Sequence, residues 1–172
     1  ASTAAAEYDD PRVHEMQAFL GANIPNQGPA RVVHGDYGLH NCMFGKDAKV
    51  AAVLDWEIST LGDPLADLAY ALNQWILPGD SDPVKADAAS VVSGMLTREQ
   101  LANRYGDLTG RDLANLDYYV GFNWLKSAMI IHGVYARYKE GKKSTEGVDM
   151  VDLRDRVTRN INEAEKAVSR IR

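Results

Sequence analysis

Residues 34–41 read HGDYGLHN, and the elements predicted on either side of them indicate the fold. Residues 31–34, with two valines at their centre, lead into this motif and predict a strand that enters a loop at Gly35. Residues 42–44 and 50–54 predict two more strands, joined by a polar turn that contains glycine, which is typical of a β-hairpin. The loop therefore lies between strands, and the hairpin follows it directly.

Acidic side chains are concentrated around this loop and hairpin. Residues 34–67 hold six acids against two lysines, and the acids are Asp36, Asp47, Asp55, Glu57, Asp63 and Asp67. Carboxylates gathered in a short stretch repel one another unless a cation sits among them. A divalent metal ion is the cation that this pattern favours.

Three of these polar residues have a spacing that suits phosphoryl transfer. Asn41 follows Asp36 by five residues, and Asp55 follows it by 19 and comes directly after a strand-like run. The catalytic loop of protein kinases, H-R-D-x-x-x-x-N, and their later metal-binding aspartate are spaced similarly. A carboxylate can accept the proton of an attacking hydroxyl, and carboxylate and amide oxygens are the hard ligands that Mg²⁺ prefers.

The longer pattern resembles the aminoglycoside phosphotransferase and choline kinase-like family. It combines the loop with DWE at residues 55–57 and GDPLADLA at residues 62–69, so its specific part covers residues 32–69. Gly35 stands where protein kinases carry arginine, which is typical of this family. The sequence is especially similar to the branch found fused to acyl-CoA dehydrogenases.

The resemblance implies a role for each matching residue. Asp36 would be the catalytic base, while Asn41 and Asp55 would be metal ligands and Glu57 would support the metal site. Two further residues, His34 and Asp67, would serve the site indirectly by structuring and bracing the catalytic loop. Asp63, followed by proline, predicts a helix N-cap.

The remainder of the chain predicts helices. Helical spacing marks residues 11–22, a start signal stands at Asp82-Pro83, and residues 97–100 form a capping box. Apolar residues recur at intervals of three and four in the last helix, which begins near Met150. We therefore expect an α+β, mostly helical fold: the C-terminal lobe of a protein-kinase-like enzyme, with a small β-hairpin carrying the catalytic and metal-binding loops.

This lobe would occupy residues 1–172, with the catalytic motifs at residues 32–69 and a helical substrate side at residues 83–172. Related kinases carry a nucleotide-clamping N-terminal lobe with a lysine that pairs with the phosphates. Residues 1–33 contain no lysine. We therefore expect that lobe to be missing and the chain to be part of a longer kinase; a natural short protein that uses the lobe differently is the alternative.

Composition excludes several other classes. The 172 residues carry a formal net charge of −5, which argues against a nucleic-acid binder with a broad basic face. No apolar run approaches the roughly 18 residues of a membrane span, so no membrane partner is expected. A single cysteine, Cys42, permits no internal disulfide, and no signal peptide is evident, which together predict a cytoplasmic location.

The predicted function is transfer of a phosphoryl group from ATP, with Mg²⁺, to a hydroxyl of a small molecule. An acidic balance of 17 acids against 8 Lys and Arg in residues 1–125 suits an aminoglycoside or choline-like acceptor, whereas the resembling branch suggests a hydroxyacyl compound. Two alternatives stay open. One is a non-catalytic binding module with a vestigial site, and the other is a metal-dependent hydrolase built from Asp36, Asp55 and Glu57.

Overall fold

Four short strands surround the loop in the computed structural model, which describes residues 10–77, 80 and 89–171. They form two antiparallel pairs: β1 (Arg31–Val33) with β4 (Thr60–Gly62), and β2 (Cys42–Phe44) with β3 (Val50–Val53). The predicted β-hairpin is confirmed as the β2–β3 pair, although β3 ends one residue earlier than expected. Strand β4 was not predicted.

The two strand pairs hold the loop at both ends. In the first pair Val32 lies opposite Leu61, and in the second Met43 lies opposite Ala52. The loop leaves β1 and reaches β2 through a 3₁₀ turn at Leu39–Asn41. Its two ends are therefore each fixed by a backbone ladder.

Helices make up most of the rest of the described chain, as the sequence predicts. Their bounds are α1 (Pro11–Ala22), α2 (Leu65–Gln74), α3 (Arg98–Thr109), α4 (Leu116–Lys139) and α5 (Met150–Val168). The helix start expected at Asp82-Pro83 lies outside the described residues. Where the described chain resumes, it forms a 3₁₀ turn at Ala89–Val91.

Local sequence explains where these helices begin. The side chains of Asp10 and Asp149 accept backbone N–H groups in the first turns of α1 and α5. The capping box at α3 is confirmed, because Thr97 accepts from the Gln100 N–H and the Gln100 side chain accepts from the Thr97 N–H.

The chain divides into two compact units. One comprises residues 26–119 and contains both strand pairs, the loop, α2 and α3; the other comprises residues 1–25 and 120–172. In the second unit the buried side chains come from α1, from α5 and from residues 120–139 of α4, the part of that helix that belongs to this unit. No helix of the described residues is long and apolar enough to cross a lipid bilayer.

Candidate active site

The start of the loop is fixed by a carboxylate from helix α2. Asp67 accepts the backbone N–H of His34 at 2.6 Å through Oδ2 and that of Gly35 at 2.8 Å through Oδ1. Both oxygens are therefore used on consecutive amides, a two-point grip that sets the direction in which the chain enters the loop. Asp67 is 33 residues away from His34 in sequence, so this grip ties the loop to the helix.

His34 fixes the loop from inside. Its side chain is buried, its Nε2 lies 2.7 Å from the Leu54 carbonyl oxygen, and its Nδ1 lies 3.3 Å from the Asp36 N–H. One tautomer satisfies both contacts, with Nδ1 accepting from Asp36 and Nε2 donating to Leu54. The ring of Trp56 packs against that of His34, with centroids 4.7 Å apart. His34 therefore links Leu54, the residue before Asp55, to Asp36 on the other side of Gly35.

Gly35 is required by its backbone and its surroundings. Its φ is +85°, and a Cβ placed there would lie 3.2 Å from the Ile58 carbonyl oxygen. A side chain at this position would be strained in conformation and crowded against the chain that follows Asp55. Glycine thus allows the loop to approach the segment on which Asp55 and Glu57 stand.

Asp36 projects from the middle of the loop with part of its carboxylate open to solvent. Its Oδ2 accepts the Asn41 amide at 3.2 Å and lies 3.5 Å from His40 Nε2. Burial raises the pKa of Asp36, but hydrogen bonds from Tyr70, His40 and Asn41 and the charge of His40 outweigh burial and lower it overall. The carboxylate is therefore ionised at neutral pH and can accept a proton.

Asn41 is buried and oriented by the loop. Its amide nitrogen donates to the Asp36 carbonyl oxygen at 2.9 Å as well as to the Asp36 carboxylate. The amide oxygen is thereby left as the atom that can bind a cation. The Leu54 N–H donates to the Asn41 carbonyl oxygen at 2.8 Å, which brings the backbone before Asp55 against Asn41.

Asp55 stands at the end of β3 in the left-handed backbone region, with φ 64° and ψ 53°. This conformation is uncommon for a residue other than glycine and costs free energy, and such strain is concentrated at functional sites. Trp56 stabilises the turn that follows, because its indole N–H donates to the Val53 carbonyl oxygen at 2.9 Å. Within the described part of the chain, the Asp55 carboxylate has no hydrogen-bond or ion-pair partner.

Glu57 is exposed on the 3₁₀ turn that follows Asp55, and its carboxylate likewise has no partner among the described residues. Two uncompensated carboxylates two residues apart are the kind of group that binds a hard divalent cation, and the backbone before them contacts Asn41, whose amide oxygen is a further hard ligand. No group of three or more His, Cys, Asp or Glu side chains with metal-binding geometry occurs in the described ranges. The expected ligand set contains only two such residues, its third member being Asn41.

Asp63 does cap α2, but it also makes contacts that the sequence did not indicate. Its Oδ1 accepts the Leu65 N–H at 2.9 Å, its Oδ2 accepts the Tyr119 hydroxyl at 3.1 Å, and Arg111 Nη1 lies 3.8 Å from Oδ1. The carboxylate is almost wholly buried and ties the start of α2 to two later segments of the same unit.

Sequence reasoning missed two neighbours of Asp36. These are His40, from the loop itself, and Tyr70, from α2. A signal for Tyr70 was present, since it follows Asp67 by three residues and therefore lies on the same face of the helix. His40 follows Asp36 by four residues across a turn, where sequence gives no rule for side-chain direction.

The strand-held loop, the hydrogen-bonded Asp36 and Asn41 side chains and the aspartate after a hairpin together define a kinase-like phosphotransferase domain. The chain belongs to the Phosphotransferase enzyme family (APH), whose sequence profile matches residues 1–116. The resemblance drawn from residues 32–69 is thus confirmed.

A solved structure supports the fold. The chain is similar to a crystal structure from Ralstonia eutropha JMP134, described as that of a candidate aminoglycoside phosphotransferase. The TM-score is 0.75 and the identity 26%, and the match covers 98% of this chain and 52% of that one. The mostly helical α+β, kinase-like fold class is therefore confirmed.

Curated relatives agree with the predicted branch. Acyl-CoA dehydrogenase family member 11 of Homo sapiens is 35% identical over 147 residues, which cover 83% of this chain and 19% of that protein. Family member 10 of Mus musculus is 34% identical over 139 residues, covering 78% and 13% respectively. The chain thus spans about a fifth or less of these two relatives.

Proposed function

We propose that this chain carries the catalytic base and metal-binding loops of a phosphotransferase that moves the γ-phosphoryl group of ATP to a hydroxyl of a small molecule. The observation that carries the proposal is the arrangement at the loop. An ionised Asp36 carboxylate is held by Asn41, and His34 links the Asp36 backbone to Leu54. Directly after Leu54 stands a strained Asp55 whose charge is uncompensated among the described residues.

The proposed reaction assigns a task to each side chain. Asp36 accepts the proton as the O–H bond of the acceptor breaks, a bond forms between the acceptor oxygen and the γ-phosphorus, and the bond to the ADP oxygen breaks. Asn41 and Asp55 would hold Mg²⁺, with Glu57 in support. When bound, Mg²⁺ would neutralise charge on the phosphate oxygens. Since this chemistry depends on positioning, the grip of Asp67 and the contacts of His34 serve it by fixing the loop.

A second lobe belongs to this proposal as the partner of the strand pairs. Val32 and Leu61 are cross-strand neighbours, yet the two residues are 63% and 71% exposed, and Met43 and Phe44 are also exposed. Several exposed apolar side chains on such short strands are typical of an interface with another part of a protein. About half of the Ralstonia chain lies outside the match. We assign this surface to an N-terminal, nucleotide-clamping lobe of the kind that the family resemblance implies.

The class of the acceptor is tested with a panel of small molecules that carry hydroxyl groups. Aminoglycosides and choline-like amino alcohols suit the acidic balance of residues 1–125, and hydroxyacyl thioesters suit the acyl-CoA dehydrogenase relatives. The full-length gene product is incubated with ATP, Mg²⁺ and each acceptor, and phosphorus NMR detects a new phosphate ester and ADP.

The proposal predicts a phosphate ester with at least one acceptor class, with no product after chelation of Mg²⁺ or in Asp55→Asn. Free phosphate released at the same rate with and without acceptors would instead indicate the hydrolase. ATP left intact with every acceptor would favour the non-catalytic module.

A further inference from the structure

Tyr70 lies on helix α2, on the same face as Asp67. Its hydroxyl hydrogen-bonds to the Asp36 carboxylate. It lies three residues after Asp67, the residue that holds the backbone of His34 and Gly35. One face of α2 therefore fixes both the main chain of the loop and the side chain that projects from it.

Among the described residues, the other contacts of the Asp36 carboxylate come from the loop. The Asn41 amide and the His40 ring both approach Oδ2, at 3.2 and 3.5 Å. Both groups belong to the loop itself, so neither ties the carboxylate to another element of the unit. A hydrogen-bond donor on helix α2 can connect the carboxylate to a second element. Helix α2 is itself held in place by its buried side chains Leu68, Ala69 and Leu72.

Tyr70 is suited to donate and not to accept. Burial raises the pKa of its phenol, and the hydrogen bond and the charge of Asp36 raise it further. The hydroxyl therefore keeps its proton through the physiological range. Charge-assisted hydrogen bonds to a carboxylate are shorter and stronger than neutral ones, so this contact restrains rotation of the carboxylate effectively.

We propose that Tyr70 is a positioning residue that orients the Asp36 carboxylate toward the acceptor hydroxyl. The inference rests on the proposed function, since it assigns Tyr70 a role in that reaction. It predicts an effect on the chemical step and not on substrate binding, because Tyr70 acts through Asp36.

The contact can be tested without any substrate. Tyr70→Phe, Asp36→Ala and the double variant of the 172-residue chain are unfolded in urea, and the three midpoint shifts are compared. Coupled residues give shifts that do not add, with the double variant shifted less than the sum of the single variants. Additive shifts would overturn the contact.

The role is then tested in the full-length gene product. Tyr70→Phe is expected to lower kcat about tenfold or more while the KM for ATP and for acceptor stays within about twofold, since misorientation of a reacting group acts on the chemical step. Tyr118→Phe removes the hydroxyl of another partly buried tyrosine, which is not among the groups that hydrogen-bond to the Asp36 carboxylate, and it should leave kcat unchanged.

The possible results separate the two proposals. An unchanged kcat in Tyr70→Phe, or a raised KM at constant kcat, would overturn the positioning role. A wild-type protein without phosphotransferase activity would overturn the proposed function and the role together, while the urea experiment would still report on the contact by itself.

Discussion

Replacing Asp67 by alanine should destabilise the unit that contains the loop more than most substitutions do. The carboxylate accepts two backbone N–H groups, from His34 at 2.6 Å and from Gly35 at 2.8 Å. Alanine leaves both donors without that acceptor, next to a His34 side chain that is only 1% exposed. Backbone donors buried without a partner are rare because they lose their hydrogen bonds to water as well.

The magnitude follows from the number and kind of bonds. Hydrogen bonds to a charged group contribute about 1.5–3 kcal/mol each, and an unsatisfied buried donor costs about 1–3 kcal/mol. Two bonds to one carboxylate are not fully independent, so we expect a loss of about 3–5 kcal/mol in the free energy of unfolding. Asp67→Asn should lose at least about 2 kcal/mol, since one of its two terminal atoms is a donor facing an N–H.

Urea unfolding of the 172-residue chain, followed by circular dichroism, measures these losses. Asp107→Ala is a matched control, because Asp107 is an exposed aspartate on helix α3, and it should change stability by less than about 0.5 kcal/mol. A loss below about 1 kcal/mol for Asp67→Ala would refute the view that this carboxylate fixes the loop.

Three further predictions concern backbone strain and charge. Asp55 and Ala48 both have positive φ, at 64° and 60°, so glycine at either position should raise the free energy of unfolding in urea by up to about 1 kcal/mol. Only Asp55→Gly should also abolish turnover. A lower stability of Asp55→Gly would contradict backbone strain at this position. Gly35→Ala should destabilise by about 1–3 kcal/mol, and an unaffected midpoint would show that the loop tolerates a Cβ. The hydrogen bond from Arg12 outweighs burial and lowers the pKa of Asp10. Asp10 therefore contributes stability above its ordinary pKa of 3.8, and this stability is lost as pH falls through the lowered value. Asp10→Asn should flatten the dependence of stability on acid pH, and an unchanged dependence would contradict this contribution of Asp10.

Local sequence was sufficient for the elements that depend on neighbouring residues. The bounds of α1, the capping box of α3 and the β2–β3 hairpin all follow from short-range patterns, and the structure shows each of them. The loop motif was also visible in sequence, because its residue spacing is specific. The structure adds the reason for its glycine, which has a positive φ.

Contacts between distant residues were not accessible in the same way. Strand β4 is three residues long and is defined by pairing with β1, about 30 residues earlier, so no alternating pattern announces it. The left-handed conformation of Asp55 and the contact of Tyr70 with Asp36 arise from how the loop meets the hairpin and α2. These are the features that give the candidate site its geometry.

The role of Asp36 as the base is measured by the turnover of Asp36→Asn in the full-length gene product. Asn keeps the size of the side chain and removes its capacity to accept a proton, while Asp47→Asn makes the same change at an exposed aspartate in the hairpin turn. We predict that kcat falls about 10²–10⁴-fold in Asp36→Asn and is unchanged in Asp47→Asn, with both variants folded. Turnover of Asp36→Asn within a few-fold of the wild type would contradict the assignment of Asp36 as the base.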